Sequence, residues 1–536
     1  MARFGTSIRR NAKHPPASTP RARLMRPAAL ALAGAAAGAL AIAGSELFAG
    51  LVAGAPSLII GVGTVVISLQ PPGAKEIFVD LFGTNDKPVL NALVVVVAVL
   101  IAAVAGLLAG RRLLYGYSVF VAFGVVAFAA ALTAPLVQPA LAAANAALAV
   151  TIGVVALAAL VRLAPSPRAA ETISPHAEMP DWDRRRFLIA SAGTLAGAVA
   201  VGSVGRMLVD AQHPSGVVST SRLPVALRSV APIAADQSLS VPGISSLVVS
   251  NDNFYRIDTA LLVPQVDIRT WQLDLTGMVD RPFSLTYDEL LAMPLFEQYV
   301  TIACVSNRVG GSLVGNALWT GVRLKDLLER AGIRAGATQV VGRSVDGFTV
   351  GFPTAWATAA QREPMVAVGM NRELLPADHG YPARLIVPGL YGYVSATKWL
   401  RSIELTTREA VDGSWVPLGW AKDAPILTQS RIDTPAGGGQ VAVGPVQVGG
   451  VAWAPDRGIV AVEVRYDDGA WETATISQSI SDSTWVQWQA PWTAAQGRHS
   501  IEVRATDRTG TVQTDQPTAP APDGARGHHR IFVTAG

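Results

Sequence analysis

The chain is 536 residues long, 50% of them hydrophobic, and its mean hydropathy of +0.35 excludes one ordinary water-soluble globule. Its formal net charge of +4 gathers at the N-terminus, from Arg3 and Arg9 to Arg26, and in clusters beside the apolar runs. No aromatic-interleaved basic stripe accompanies it, so the charge points to anionic lipid headgroups and away from nucleic acid.

A bilayer core of ~30 Å takes roughly 20 apolar residues per helix. Behind a basic N-terminus of residues 1–27, candidate spans cover 28–54, 89–110, 113–134, 139–161 and 187–209. The run from Ser57 to Leu69 is short and ends at Pro71 and Pro72, which predicts an interfacial or re-entrant segment. With the N-terminus inside, five spans place Arg111, Arg112, Arg162, Arg168 and Arg184 to Arg186 on one side of the membrane, as the positive-inside rule requires. The odd count predicts a multi-pass protein of the cell membrane, with everything after residue 210 extracytoplasmic.

Before the last span, Asp183-Arg184-Arg185-Arg186-Phe187-Leu188 precedes a Gly/Ala-rich run without charge until Arg206. This resembles a twin-arginine export signal. Ordinary flanking charge is the plain alternative. Export in the folded state would suit a protein that acquires a cofactor in the cytoplasm.

Residues 210–250 are rich in Pro, Ser and Val with little periodicity and predict a linker, with folding resumed near Asn251. Trp271, Leu273 and Leu275 alternate with polar residues, marking a strand that turns at Gly277, and a short helix follows at Tyr287 to Leu291. Val300 to Cys304 is a mostly apolar strand running into turn chemistry from Ser306 to Gly311. Leu324, Leu327, Leu328 and Ala331 fall at helical spacing, and Gly332 fits a C-cap. A further strand ends near Val341. After Thr434, the Pro/Gly-rich stretch to Gly439 marks a boundary. Beyond it, alternation over Val460, Val462, Val464 and Tyr466, the turn Asp467-Asp468-Gly469, and alternation over Ile501, Val503 and Ala505 predict an immunoglobulin-like sandwich over 440–536.

Cys304, the only cysteine in the chain, has no disulfide partner. A free cysteine is often a small buried hydrophobe. At a strand end facing a loop, it is also where a rigid scaffold presents a reactive group. Its surroundings favour the second reading. Cys304-Val305-Ser306-Asn307-Arg308, then Gly315-Asn316-Ala317-Leu318-Trp319-Thr320-Gly321-Val322 and a Leu-Lys-Asp-Leu-Leu helix, resemble the cofactor-binding core of the sulfite oxidase family. His379-Gly380-Tyr381-Pro382-Ala383-Arg384, Pro388-Gly389, Tyr391-Gly392-Tyr393 and Lys398-Trp399-Leu400 resemble that family's second block. The resemblance covers residues 250 to 536 and leaves the membrane half aside.

It implies an α+β molybdopterin-binding catalytic domain over 251–434, a C-terminal dimerisation-type domain, and molybdenum held by a molybdopterin dithiolene and the Cys304 thiolate. A thiolate is the soft ligand such a metal prefers, and ligation requires the thiol to be deprotonated. The resemblance further implies cofactor contacts at Tyr255, Arg256, Ser344, His379, Arg384, Ala396, Thr397 and Lys398. Arg suits a pterin phosphate by bidentate geometry and Lys as a point charge. Arg256 matches either a cofactor contact or the arginine that binds a substrate oxyanion, and Arg308 either an anion contact or a pterin or structural one. Together with Cys304 they form the expected catalytic set.

The stretch between Gly311 and Trp319 is shorter than in sulfite oxidases proper, that branch's active-site tyrosine has no assigned counterpart, and there is no Cys-x-x-Cys-His haem motif. Oxygen-atom transfer in the direction of sulfite oxidation or of sulfoxide reduction therefore both stand, on a small or protein-borne substrate and with an unidentified electron carrier. The two arginines lean toward an anion. A non-catalytic membrane sensor or scaffold that retains the fold is the reading from another class.

Overall fold

The computed structural model describes residues 20–70, 78, 81–82, 86–134, 137–164, 180–213, 222–359 and 361–536. Arg3, Arg9 and Arg168 lie outside them. The chain divides into a helical unit and a β-rich unit.

The helical unit contains α1 (Pro20–Leu51), α2 (Leu58–Leu69), α3 (Asp86–Ala109), α4 (Leu113–Ala131), α5 (Pro139–Leu163) and α6 (Pro180–Ala211). All but α2 are long and apolar enough to cross a membrane. They match the five expected spans to within a few residues, except that α1 and α6 begin earlier, α6 before the arginine run. Small residues let the helices approach, with Ala33, Ala36, Ala37 and Ala105 fully buried. Large apolar side chains face outward instead, among them Val96, Leu100, Val104, Val125 and Val155. The 12-residue α2 is too short to span a bilayer. It is tied at its start: Ile60 N donates to Ser57 Oγ (3.3 Å), the Ser57 hydroxyl donates to Glu46 (2.6 Å), and Asn145 donates to the Pro56 carbonyl (3.0 Å).

In the β-rich unit, alternation brings Leu273 and Leu275 of β1 (Gln272–Gly277) inward, and β2 (Phe283–Thr286) pairs with it before α7 (Tyr287–Leu291). Thr286 and Glu289 form a capping box at that helix. Two longer strands, β3 (Leu295–Ala303) and β4 (Val314–Arg323), are buried almost without interruption, because both faces of their sheet are covered. Then come α8 (Leu324–Ala331), β5 (Gln339–Ser344), β6 (Thr349–Pro353), α9 (Thr354–Thr358), β7 (Met365–Met370), β8 (Glu373–Leu374), β9 (Arg384–Ile386), α10 (Gly392–Ser395) and β10 (Leu400–Thr406). One sheet has the order β2-β1-β10-β5-β6, the other β3-β4-β7-β8 with β9 on β7. Their shared core joins Leu275, Val300, Trp319, Leu327, Val366 and Ile403. The strand expected to end near Val341 runs on to Ser344.

Two more sheets follow. The first has the order β11 (Gln429–Thr434), β13 (Gly444–Trp453), β17 (Val486–Ala494), β16 (Thr475–Ile476). The second runs β12 (Gln440–Val441), β19 (His529–Ala535), β18 (Gly497–Asp507), β14 (Ile459–Tyr466), β15 (Glu472–Thr473). Val448 and Trp488 from one and Val462, Val503 and Ile531 from the other share a single core. The turn after β14 places Asp467 and Asp468 at φ 53° and 60°, the signature of a tight hairpin.

Residues 222–250 run along both parts as an irregular strap with a single 3-10 turn at Ala235–Gln237. Leu227 N donates to Leu295 O (2.8 Å), Val249 N to Asn316 O (2.9 Å) and Leu239 N to Gln487 Oε1 (2.7 Å), while Trp485 Nε1 donates to Leu247 O (2.8 Å). The expected linker is thus laid onto the folded unit over this length.

Candidate functional site

Cys304 is the first residue beyond β3. Its N–H donates to Leu313 O (2.9 Å) and its carbonyl accepts from Asn307 N (3.0 Å), while Asn307 Oδ1 accepts from Leu313 N (2.8 Å). These bonds fold the β3–β4 loop back on itself and leave the half-buried thiol at a cleft. The cleft encloses about 840 Å³, its open mouth included.

Six of the residues expected from sequence line it together: Tyr255, Cys304, Ser344, Arg384, Ala396 and Lys398. They come from the segment before β1, the end of β3, the end of β5, the start of β9 and the stretch between α10 and β10. Tyr255 stacks on Phe254 (centroids 5.2 Å apart), which meets Trp319 and His379 edge-on. Burial, with Cys304 next in weight, pushes the Tyr255 phenol well above its ordinary range.

Gly380 holds His379, Arg384 and Lys398 together. It adopts φ 113°, and a Cβ there would stand 3.0 Å from Lys398 Cα and 3.2 Å from Arg384 Cβ. The Arg384 guanidinium lies 5.0 Å over the Trp319 ring and donates to His379 O (2.9 Å). Burial lowers its pKa to about 10. Lys398 donates to Asp258 (3.2 Å) and to the Asp378 carbonyl (2.9 Å), and burial, against the pull of Asp258, lowers it to about 8. Burial, followed by Lys398, pushes His379 down to about 3, so the imidazole is neutral and its Nε2 donates to Asn251 O (2.8 Å). Trp399, beside Lys398, sits at φ 49°, a strained conformation for a bulky residue.

Four expected residues are not in the lining. His379 and Thr397 are buried behind it. Arg256 pairs with Asp258 at 3.2 Å and is partly exposed, and Arg308 is exposed on the turn after Cys304. Sequence reasoning missed Asp258, Asp346, Phe348, Tyr393, Trp415 and Trp420, all of which line the cleft. It also missed Tyr391, whose buried phenol is pushed up to about 12, chiefly by burial. The Tyr-Gly-Tyr run pointed toward two of these; the two tryptophans carried no local signal.

His379 Nδ1, Arg384 Nε and Thr397 Oγ1 are buried and have no protein partner. Such atoms are costly to leave unsatisfied, about 1–3 kcal/mol each. Two cations, a neutral imidazole, hydroxyls and one thiol around this cleft fit a phosphate-bearing heterocycle that presents a metal to Cys304.

Residues 260–415 match the family model of the oxidoreductase molybdopterin binding domain. The chain is 30% identical to mitochondrial sulfite oxidase of Homo sapiens over 302 residues (48% of this chain, 55% of that one). It is 28% identical to sulfite oxidase of Arabidopsis thaliana over 331 residues (51% and 84%) and 34% identical to nitrate reductase [NADH] 1 of rice over 174 residues (28% and 19%). It therefore spans only part of the human and rice proteins. The sulfane dehydrogenase SoxCD from Paracoccus pantotrophus is similar over 54% of this chain and 82% of that one, with 23% identity and a TM-score of 0.48.

Residues 260–415 thus form a molybdopterin binding domain of the oxidoreductase type. Through that domain the chain is similar to members of the sulfite oxidase family.

Proposed function

We propose that this chain is a membrane-anchored enzyme that transfers an oxygen atom to or from a neutral substrate at a molybdenum centre held by Cys304, on the extracytoplasmic side. The observation that carries the reading is the position of the only cysteine at the end of β3, on the same cleft as Tyr255, Ser344, Arg384 and Lys398.

When bound, the cofactor supplies a two-electron metal centre for oxygen-atom exchange. The residues of the chain do the rest. Cys304 offers a thiolate to the metal. Lys398 and Arg384 hold the phosphate-bearing end, with His379, Thr397 and Ser344 as polar partners and the Ala396 backbone alongside. The neutral phenol of Tyr255 stands beside Cys304.

Both cations in the lining serve the cofactor, with Lys398 also paired to Asp258 and Arg384 to His379 O and the Trp319 face, which leaves neither for a substrate oxyanion. Two carboxylates, Asp258 and Asp346, share the cleft, and most of the remaining wall is apolar or aromatic, including Ile302, Phe348, Tyr393, Trp415 and Trp420. Such a wall favours an apolar molecule carrying one polar oxygen, such as an organic sulfoxide, over a small oxyanion. This reverses the lean that Arg256 and Arg308 suggest.

The five apolar helices with outward-facing aliphatic side chains support the membrane reading, because such a surface in water would be an aggregation hazard. The arginine clusters support the orientation, and Arg184 to Phe187 a twin-arginine export route. The two-sheet C-terminal part is proposed as an immunoglobulin-like domain through which a homodimer forms.

The test is expression in a host that makes the cofactor, followed by metal analysis and assays with artificial electron carriers. Molybdenum in the protein and turnover of aryl sulfoxides above that of sulfite support the proposal. Protein without molybdenum, or sulfite turnover alone, overturns it.

A further inference from the structure

The helical unit holds a cavity of about 740 Å³, again with its opening included, walled by α1 to α5. Its lining is apolar, including Val62, Ala98, Phe120 and Phe123, with one hydroxyl, that of Ser45. Ser45 is 3% exposed, and its Oγ has no hydrogen-bond partner. Several other hydroxyls of this unit donate to a carbonyl three or four residues back: Thr64 to Ile60 O, Ser118 to Tyr115 O, Thr133 to Ala130 O, Thr151 to Ala147 O and Thr194 to Ala190 O; Ser191 is buried without a partner as Ser45 is, but of the two only Ser45 lines the cavity. That back-bonding is the usual resort of a hydroxyl in an apolar helix. Ser45 instead keeps its donor beside an apolar space.

Two kinds of membrane molecule could fill such a space. A phospholipid acyl chain would leave the hydroxyl unpaired. A quinone brings a carbonyl to accept from it and a flat ring to lie among the phenylalanines, and its prenyl tail matches the aliphatic walls. We infer that this cavity binds a membrane quinone, with the Ser45 hydroxyl donating to a ring carbonyl and Phe120 and Phe123 flanking the ring. The inference rests on the reading that the helices lie in lipid, and not on the substrate of the cleft.

The test uses the full chain, first fractionated and then purified in mild detergent, with quinone and phospholipid quantified in its lipid extract. Enrichment of quinone over bulk membrane lipid is expected in the wild type, and its loss in Ala98→Phe, which fills the cavity. Ser45→Ala preserves volume and removes only the donor, so decylubiquinone affinity should fall about five-fold, as one lost hydrogen bond implies. A chain found in the soluble fraction overturns the membrane reading. A membrane-bound chain with no quinone enrichment, or with wild-type decylubiquinone affinity in Ser45→Ala, overturns the quinone site alone.

Discussion

The ammonium of Lys398 lies 3.2 Å from the carboxylate of Asp258, with both side chains more than nine-tenths buried on the wall of the Cys304 cleft. A buried pair of this kind is costly to break from one side, because the remaining charge is stranded. Asp258→Asn should therefore destabilise the cofactor-free protein by about 3 kcal/mol, and Asp258→Asn with Lys398→Met by clearly less. Chemical denaturation of the three proteins checks the order.

Lys398 also makes cofactor uptake pH-dependent. Burial brings its pKa down to about 8 in the cofactor-free protein, so the charge that would meet a phosphate is present below that pH and lost above it. Molybdopterin uptake by apoprotein should decline as pH rises through 8. Lys398→Arg, which stays charged, should flatten the profile.

His379 acts in the opposite direction, on stability. Its folded pKa of about 3 lies below the ordinary value of 6.5, so the native state binds fewer protons than the unfolded one between those limits. Its stabilising contribution is complete above pH 6.5 and is lost as pH falls toward 3, at up to about 1.4 kcal/mol per pH unit. His529, lowered to about 4 mainly by burial, adds to the same window. Denaturation midpoints across this range should slope less steeply in His379→Gln than in the wild type.

Gly380→Ala places a Cβ against Lys398 and Arg384 at φ 113°. It should cost about 1–3 kcal/mol of stability from backbone strain and lower cofactor occupancy, measured as molybdenum per chain.

Trp420 and Tyr393 meet at a tilt of 56°, with centroids 5.8 Å apart, at the cleft. If they recognise the substrate, Trp420→Ala should reduce kcat/KM for an aryl sulfoxide about ten-fold more than for dimethyl sulfoxide, in keeping with the area an aromatic contact buries.

Some of this was written locally in the sequence. The i, i+3, i+4 spacing of Leu324, Leu327 and Leu328 and the glycine after Ala331 specify α8 and its cap, where Gly332 adopts φ 73°. Alternation marks β1, β14 and β18, and Cys304 was legible as a strand-end residue. The two- and three-residue strands β8, β9, β12, β15 and β16 were not, because pairing with longer neighbours defines them. Residues 222–250 show no period, since their hydrogen bonds go to scattered partners, among them Leu295, Asn316 and Gln487, far along the chain. The site divides in the same way. Arg384 and Lys398 sit in a recognisable block, whereas Asp258, Trp415 and Trp420 reach the cleft only through the tertiary fold.

The central claim is that Cys304 is the protein ligand of the metal, and X-ray absorption at the molybdenum edge tests it most directly. Wild type and Cys304→Ser would be compared after matched cofactor loading. The account predicts one fewer sulfur neighbour at molybdenum in Cys304→Ser. An unchanged sulfur shell in that variant would contradict it.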